Sequence, residues 1–110
     1  MPPIKSITLN IHQLEHIIAL DRFKNLSKAA EYCYVAEATL NTTIKKLEVQ
    51  LGIVLFTRVQ KHVYTTDAGA EIIVEAKKIV EQSEVLVATA KKIKSNLTAQ
   101  AKVLADQTLV

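Results

Sequence analysis

Two sets of side chains in this 110-residue chain have types and spacing suited to chemistry. The first, His12, Glu15 and His16, repeats an H-x-x-E-H pattern in which two histidines one helical turn apart can share a metal. A zinc site needs a third protein ligand in a cleft, and no downstream Glu-rich helix offers one, so no metal site is expected. No nucleophile–base arrangement or phosphate-cradling loop is present, since the only glycines are Gly52 and Gly69. The chain is therefore expected not to be an enzyme and to need no cofactor. The second set is Glu37, Ala38, Asn41 and Thr42, which helical spacing places on one face. An asparagine carboxamide can pair bidentately with adenine, and a glutamate can accept from cytosine N4. Around them stand residues suited to phosphates: Thr43, Lys45 and Lys46 on the same segment, and Asn25, Ser27 and Lys28 before it. Arg58, Lys61 and His62 come after it. Asn41 and Thr42 are poor mid-helix residues, so their presence calls for a reason other than helix propensity.

The elements that must position these groups are legible in the apolar spacing. From Asn25 to Glu48, the residues Ala29, Ala30, Cys33, Val35, Leu40, Ile44 and Leu47 recur at three- and four-residue steps on both sides of Tyr34. Ala30 is small where a second helix must cross closely, Val35 plugs the corner, and Leu40, Ile44 and Leu47 form an inner stripe. That pattern predicts a helix-turn-helix whose second helix, about residues 37–51, is shaped to enter a major groove. A preceding helix is expected from about Ile11 to Phe23, and Asn25 or Ser27 can cap the next one. Gly52 suits the left-handed end of the recognition helix. The β-branched runs Ile53 to Thr57 and Val63 to Thr66 predict two strands, with Arg58 to His62 as the turn of a wing.

Thr66 and Asp67 then open a long helix with a hydroxyl cap and an acid in the first turn. Ile72, Ala76, Ile79, Ser83, Leu86, Ala90, Ile93 and Leu97 alternate four and three apart, as in a coiled-coil seam. So much apolar surface is expected to pair with a second copy of the chain, the small residues at 76, 83 and 90 allowing close approach. Whether the helix continues past Ser95 or frays is left open by the sequence.

Charge supports a nucleic-acid partner. Net charge is +3, with 14 Lys and Arg against 11 Asp and Glu, and the excess falls in residues 1–66. Three groups, Arg22 with Lys24 and Lys28, Lys45 with Lys46, and Arg58 with Lys61 and His62, would surround the helix pair. The apolar runs Ile17 to Leu20 and Ile53 to Phe56 are too short to span a membrane, and the N-terminus lacks a secretory pattern, so a cytoplasmic protein is expected. The sequons at Asn25, Asn41 and Asn96 are then ordinary polar segments. Cys33, the single cysteine, is expected as a buried small hydrophobe.

In order along the chain, HQLEHIIAL, the SKAAE run, IKKLEVQLGIVLFTR and TTDAG resemble the N-terminal DNA-binding part of the LysR-type transcriptional regulators of bacteria. The resemblance covers roughly residues 10 to 95 and implies a winged helix-turn-helix followed by a linker helix that pairs with its twofold mate. That family usually begins its recognition helix with a serine and a glutamine, where this chain has Ala36 and Glu37. Its regulators continue into an effector domain, whereas nothing follows Val110, so a stand-alone or truncated DNA-binding half is expected and no small-molecule effector is evident.

The expected fold class is mainly α, a winged helix-turn-helix at 1–66 and a dimerisation helix with a tail at 67–110. The expected function is sequence-specific binding of double-stranded DNA as a homodimeric transcriptional regulator. The alternative is a winged-helix module that binds another regulator without reading DNA.

Overall fold

The computed structural model describes residues 8–60 and 62–108, with the side chains of 106–108 excepted. Four helices and one hairpin follow in order: α1 (Ile11–Phe23), α2 (Leu26–Tyr32), α3 (Glu37–Leu51), β1 (Phe56–Val59), β2 (His62–Thr65) and α4 (Asp67–Thr108). They form two compact units, one ending at Val80 and one beginning at Glu81.

Helix α1 starts where Asn10 and Gln13 satisfy each other's backbone amides through a reciprocal capping box, at 3.0 and 3.1 Å. It ends at Lys24, which takes the left-handed conformation, φ 53°. Asn25 caps α2, its Oδ1 accepting from the Lys28 amide at 2.9 Å. The corner between α2 and α3 is closed by the Val35 amide donating to the Ala30 carbonyl, 3.0 Å. Tyr34 there adopts φ 58° with its ring almost wholly in solvent, an unusual conformation for an aromatic residue. Ala36 caps α3 with no side-chain bond, and Gly52 ends it at φ 68°.

Ile17, Leu20, Leu40, Ile44, Leu47 and Leu55 are fully buried where α1, α3 and the start of the wing meet. Each such side chain contributes roughly 1.5–3 kcal/mol relative to an exposed one. Ala29 and Ala30, also buried, present only methyl groups where α2 packs on this core. Cys33 is half-buried rather than enclosed, because the turn that holds it lies at the edge of the core.

The wing is shorter in its turn and later in its first strand than the sequence suggested. Phe56 pairs with Thr65, Thr57 with Tyr64, Arg58 with Val63, and Val59 with His62. Arg58, Val59 and His62 therefore belong to strands, while Ile53 to Leu55 do not. The reason is that the backbone of Leu55 is already engaged. Its amide donates to Glu48 Oε2 at 2.7 Å, and its carbonyl accepts from the Thr66 amide at 2.9 Å. β-Branched content marked an extended path there, not a ladder.

Thr66 caps α4 as expected, its Oγ1 accepting from the Gly69 amide at 2.9 Å and donating to the Val54 carbonyl at 2.6 Å. Gly69 is required by proximity: a Cβ built there would sit 2.3 Å from the Leu55 carbonyl oxygen. Ile73 and Ala76 are buried in the core of the first unit, and Ile72 and Val80 pack against it. Ala76, expected in the dimer seam, is thus a core residue, 1% exposed. The four-and-three spacing of Gly69, Ile73, Ala76 and Val80 is a second stripe, facing the helix's own domain. The compact unit accordingly runs on past the start of α4 to Val80.

The second unit is the rest of α4, helical as far as Thr108, so the chain past Ser95 continues the helix. Val85, Leu86, Val87, Ile93, Leu97, Val103 and Leu104 are all exposed along it. Among the described residues, no helix is long and apolar enough to cross a membrane.

Candidate nucleic-acid interface

Burying Leu40, Ile44 and Leu47 turns the opposite side of α3 outward. Glu37, Ala38, Thr42, Lys45 and Lys46 are exposed on that side, and Asn41 is half-buried at its edge. The expected base-facing and basic residues of α3 thus share one surface. Glu37 stands in the first turn, where the helix dipole favours a carboxylate. Thr43 differs in part from its expected role. It is half-buried, and its hydroxyl donates to the Thr39 carbonyl at 2.8 Å, so its donor is engaged within the helix.

A cleft of about 490 Å³ opens beside this surface, lined by Asn25, Leu26 and Ser27 of α2, Glu37 of α3, and Arg58, Gln60 and Val63 of the wing. Asn25 and Ser27 therefore meet the wing and the start of α3 at one place. The oxygen of Asn25 is committed to its cap, which leaves its Nδ2 hydrogens as donors. Lys28 is exposed in the first turn of α2. Leu26, Gln60 and Val63 were not foreseen as cleft walls. Gln60 has φ 57°, a left-handed position at the hairpin tip that its residue type does not announce. His62 is exposed at the start of β2, and Lys61 lies outside the described residues.

Arg58 reaches further than a wing residue need. Successive strand side chains alternate, so Arg58 shares the face of Phe56 and of its cross-strand partner Val63, both of which are buried. Beyond the rim of the core its Nη2 donates to Asn41 Oδ1 on α3. The wing and the recognition helix are thereby joined through their polar side chains.

Two of the expected basic residues are otherwise engaged. Lys24 Nζ donates to Asp21 Oδ1 at 2.8 Å and to Thr65 Oγ1 at 2.7 Å, tying the end of α1 to β2. The Arg22 guanidinium lies 5.3 and 5.5 Å from the ring centres of Phe23 and Tyr32. Burial pushes the Asp21 carboxyl up, but the hydrogen bonds from Lys24 and Thr65 and the charges of Lys24 and Lys77 outweigh it and lower its pKa. Burial, helped by the carboxylate of Glu15, raises the Cys33 thiol, which disfavours a reactive thiolate.

The histidine pair is divided between solvent and core. His12 is exposed, with Nδ1 3.9 Å from Glu15, whereas His16 is buried. Among the described residues, no group of three or more His, Cys, Asp or Glu side chains could hold an ion. Burial and the neighbouring His12 lower the His16 pKa against the opposing pull of Glu15.

Comparison with known proteins agrees with this geometry. Residues 11–70 match the family described as bacterial regulatory helix-turn-helix protein, lysR family. The chain is 35% identical over 78 residues to the hydrogen peroxide-inducible genes activator of Haemophilus influenzae, covering 71% of this chain and 26% of that protein. It shows the same identity and coverage with the DNA-binding transcriptional dual regulator OxyR of Escherichia coli. It thus spans about a quarter of the length of these curated relatives. Among solved structures, a DNA complex of the BenM DNA-binding domain superposes with a TM-score of 0.76 at 28% identity, covering 80% of this chain and 95% of that one. Full-length OxyR from Pseudomonas aeruginosa gives 0.75 at 32% identity, covering 77% and 29%. With its winged helix-turn-helix, its capped linker helix and a family match over more than half its length, the chain belongs to the LysR family of bacterial regulatory helix-turn-helix proteins.

Proposed function

We propose that this chain binds double-stranded DNA as a homodimer and serves as the DNA-binding part of a transcriptional regulator, doing no chemistry of its own. The observation that carries this reading is the outward polar face of α3 beside a cleft shared by the start of α2 and the wing. Helix α3 enters the major groove, with Glu37, Ala38, Asn41 and Thr42 toward base edges. Lys45, Lys46, Ser27, Lys28 and the Asn25 amide meet the phosphates, and the wing, with Lys61 and His62, meets the backbone or the minor groove. Dimerisation uses the exposed part of α4, with Ile79, Leu86 and Ile93 as its apolar contacts and Ser83 and Ala90 as its close-approach positions. The reading of a purely protein-binding module is not favoured, because structures similar to this one include DNA complexes.

The test is binding to a duplex of random sequence. If a dimer neutralises about six to ten phosphates, affinity falls by about 10³–10⁵ between 50 and 200 mM salt. Replacing Lys45 and Lys46 with Ala should weaken binding to all sequences alike and flatten the salt dependence. Undetectable binding to duplex DNA at 50 mM salt would refute the proposal.

A further inference from the structure

The end of α1 is fastened to the base of the wing by a closed ring of polar contacts. Thr65 Oγ1 donates to Asp21 Oδ1 at 2.6 Å and accepts from Lys24 Nζ at 2.7 Å. Lys24 Nζ also donates to the same carboxylate oxygen, at 2.8 Å. A further bond joins the backbones, the Val63 amide donating to the Lys24 carbonyl at 3.3 Å. Lys24 makes all its contacts from φ 53°, a conformation that glycine adopts most readily. Asp21 and Thr65 are half-buried, and Thr65 stands two positions beyond the buried Val63, on the same inward face of β2.

A hairpin of two four-residue strands has little stability of its own, so its direction depends on what holds its base. His62, at the far end of β2, is carried about 10 Å beyond Thr65 at roughly 3.3 Å per residue. A small swing at Thr65 therefore becomes a larger displacement at the tip. We propose that Asp21, Lys24 and Thr65 form an anchor that positions the wing on DNA, with Lys24 a positioning residue acting through β2. The inference rests on the DNA-binding reading. It gives Lys24 a task other than the phosphate contact expected of it as one of a basic group.

The experiment measures duplex affinity against salt for wild type, Thr65→Val, Thr65→Ser, Asp21→Asn and Lys61→Ala, with folding checked by urea denaturation. Thr65→Val opens the ring without changing charge. If each wing then leaves one phosphate, the slope of log affinity against log salt should flatten by about 2 for a dimer. Thr65→Ser, which keeps the hydroxyl, should restore the wild-type slope. With Lys61→Ala already in place, Thr65→Val should flatten the slope no further. Asp21→Asn, a second way to open the ring, should weaken binding although it removes a negative charge. A wild-type slope in folded Thr65→Val, an equal loss on the Lys61→Ala background, or tighter binding by Asp21→Asn would each overturn the anchor and leave DNA binding standing. No binding by wild type at 50 mM salt would remove both readings.

Discussion

Residues 8–80 and 81–108 are similarly rich in branched apolar side chains, yet they treat them in opposite ways. In the first unit Leu40 is fully buried among Ile17, Ile44 and Leu47. In the second, Leu86 is 67% exposed, and Val85, Val87, Ile93 and Leu97 are exposed with it. The same residue type thus has its partners inside the chain in one region and lacks them in the other. A lone helix keeps such a stripe only at a cost in solubility, so in the proposed function folding belongs to the first unit and association to the second.

The largest effect that would break this contrast comes from truncating the same residue in each region. Leu40→Ala should cost about 2–5 kcal/mol of folding stability, measured by urea denaturation, because a cavity opens in a packed core. Leu86→Asp should leave the first unit folded but convert the dimer to monomer in light scattering at tens of micromolar. An unpaired charge in the seam is expected to cost several kcal/mol there. A wild-type chain already monomeric at that concentration would sink the assignment of the second unit.

A smaller effect sharpens the boundary within α4. Gly69→Ala forces a methyl against the Leu55 carbonyl, so its stability should fall by about 1–3 kcal/mol. Light scattering should still find a dimer, since Gly69 faces its own domain. Dissociation without loss of stability would place the first turns of α4 in the seam instead of the core.

The smallest effect is a pH dependence confined to the first unit. Burial and the neighbouring His12 lower the pKa of His16, whose Nδ1 has no partner among the described residues. Its folded pKa lies below the unfolded value, so the unfolded chain takes the proton first. The stability it contributes is present above pH 6.5, its unfolded value, and is lost as pH falls through its folded pKa. Asp21 acts in the same direction further down: its pKa is lowered from 3.8, and its contribution disappears as pH falls below that value. Denaturation midpoints should therefore decline below neutrality in wild type and stay level in His16→Leu until the carboxylate range. Parallel curves for the two proteins between pH 7 and 5 would show that His16 is not responsible.

What the sequence revealed and what it hid follow the same division. Periodicity reports which face of a helix is apolar, and it located α1, α2 and α3, while the Thr66 cap and Asp67 marked the start of α4. It did not report which partner covers a stripe. Ala76 fits both the seam spacing and the core spacing of Gly69, Ile73 and Val80, and only packing decides between them. The wing register was hidden because Glu48, a helix residue, takes the amide of Leu55 and Thr66 bonds its carbonyl, so a segment that reads as strand begins its ladder only at Phe56. In the site, helical spacing was enough to gather Glu37, Ala38, Asn41 and Thr42. The bond between Arg58 and Asn41 joins positions 17 residues apart on different elements, and no local pattern encodes it. Alternation from the buried Phe56 to Arg58 was the one available sign.

The central claim is that one unit meets DNA and the other doubles the contact. Its most direct test compares the salt dependence of duplex binding for wild type and Leu86→Asp. With six to ten phosphates per dimer, the wild-type slope of log affinity against log salt should be about −5 to −9, and the monomeric variant should show about half of it. Equal slopes for a dimeric wild type and a monomeric variant, or no binding by either at 50 mM salt, would contradict the account.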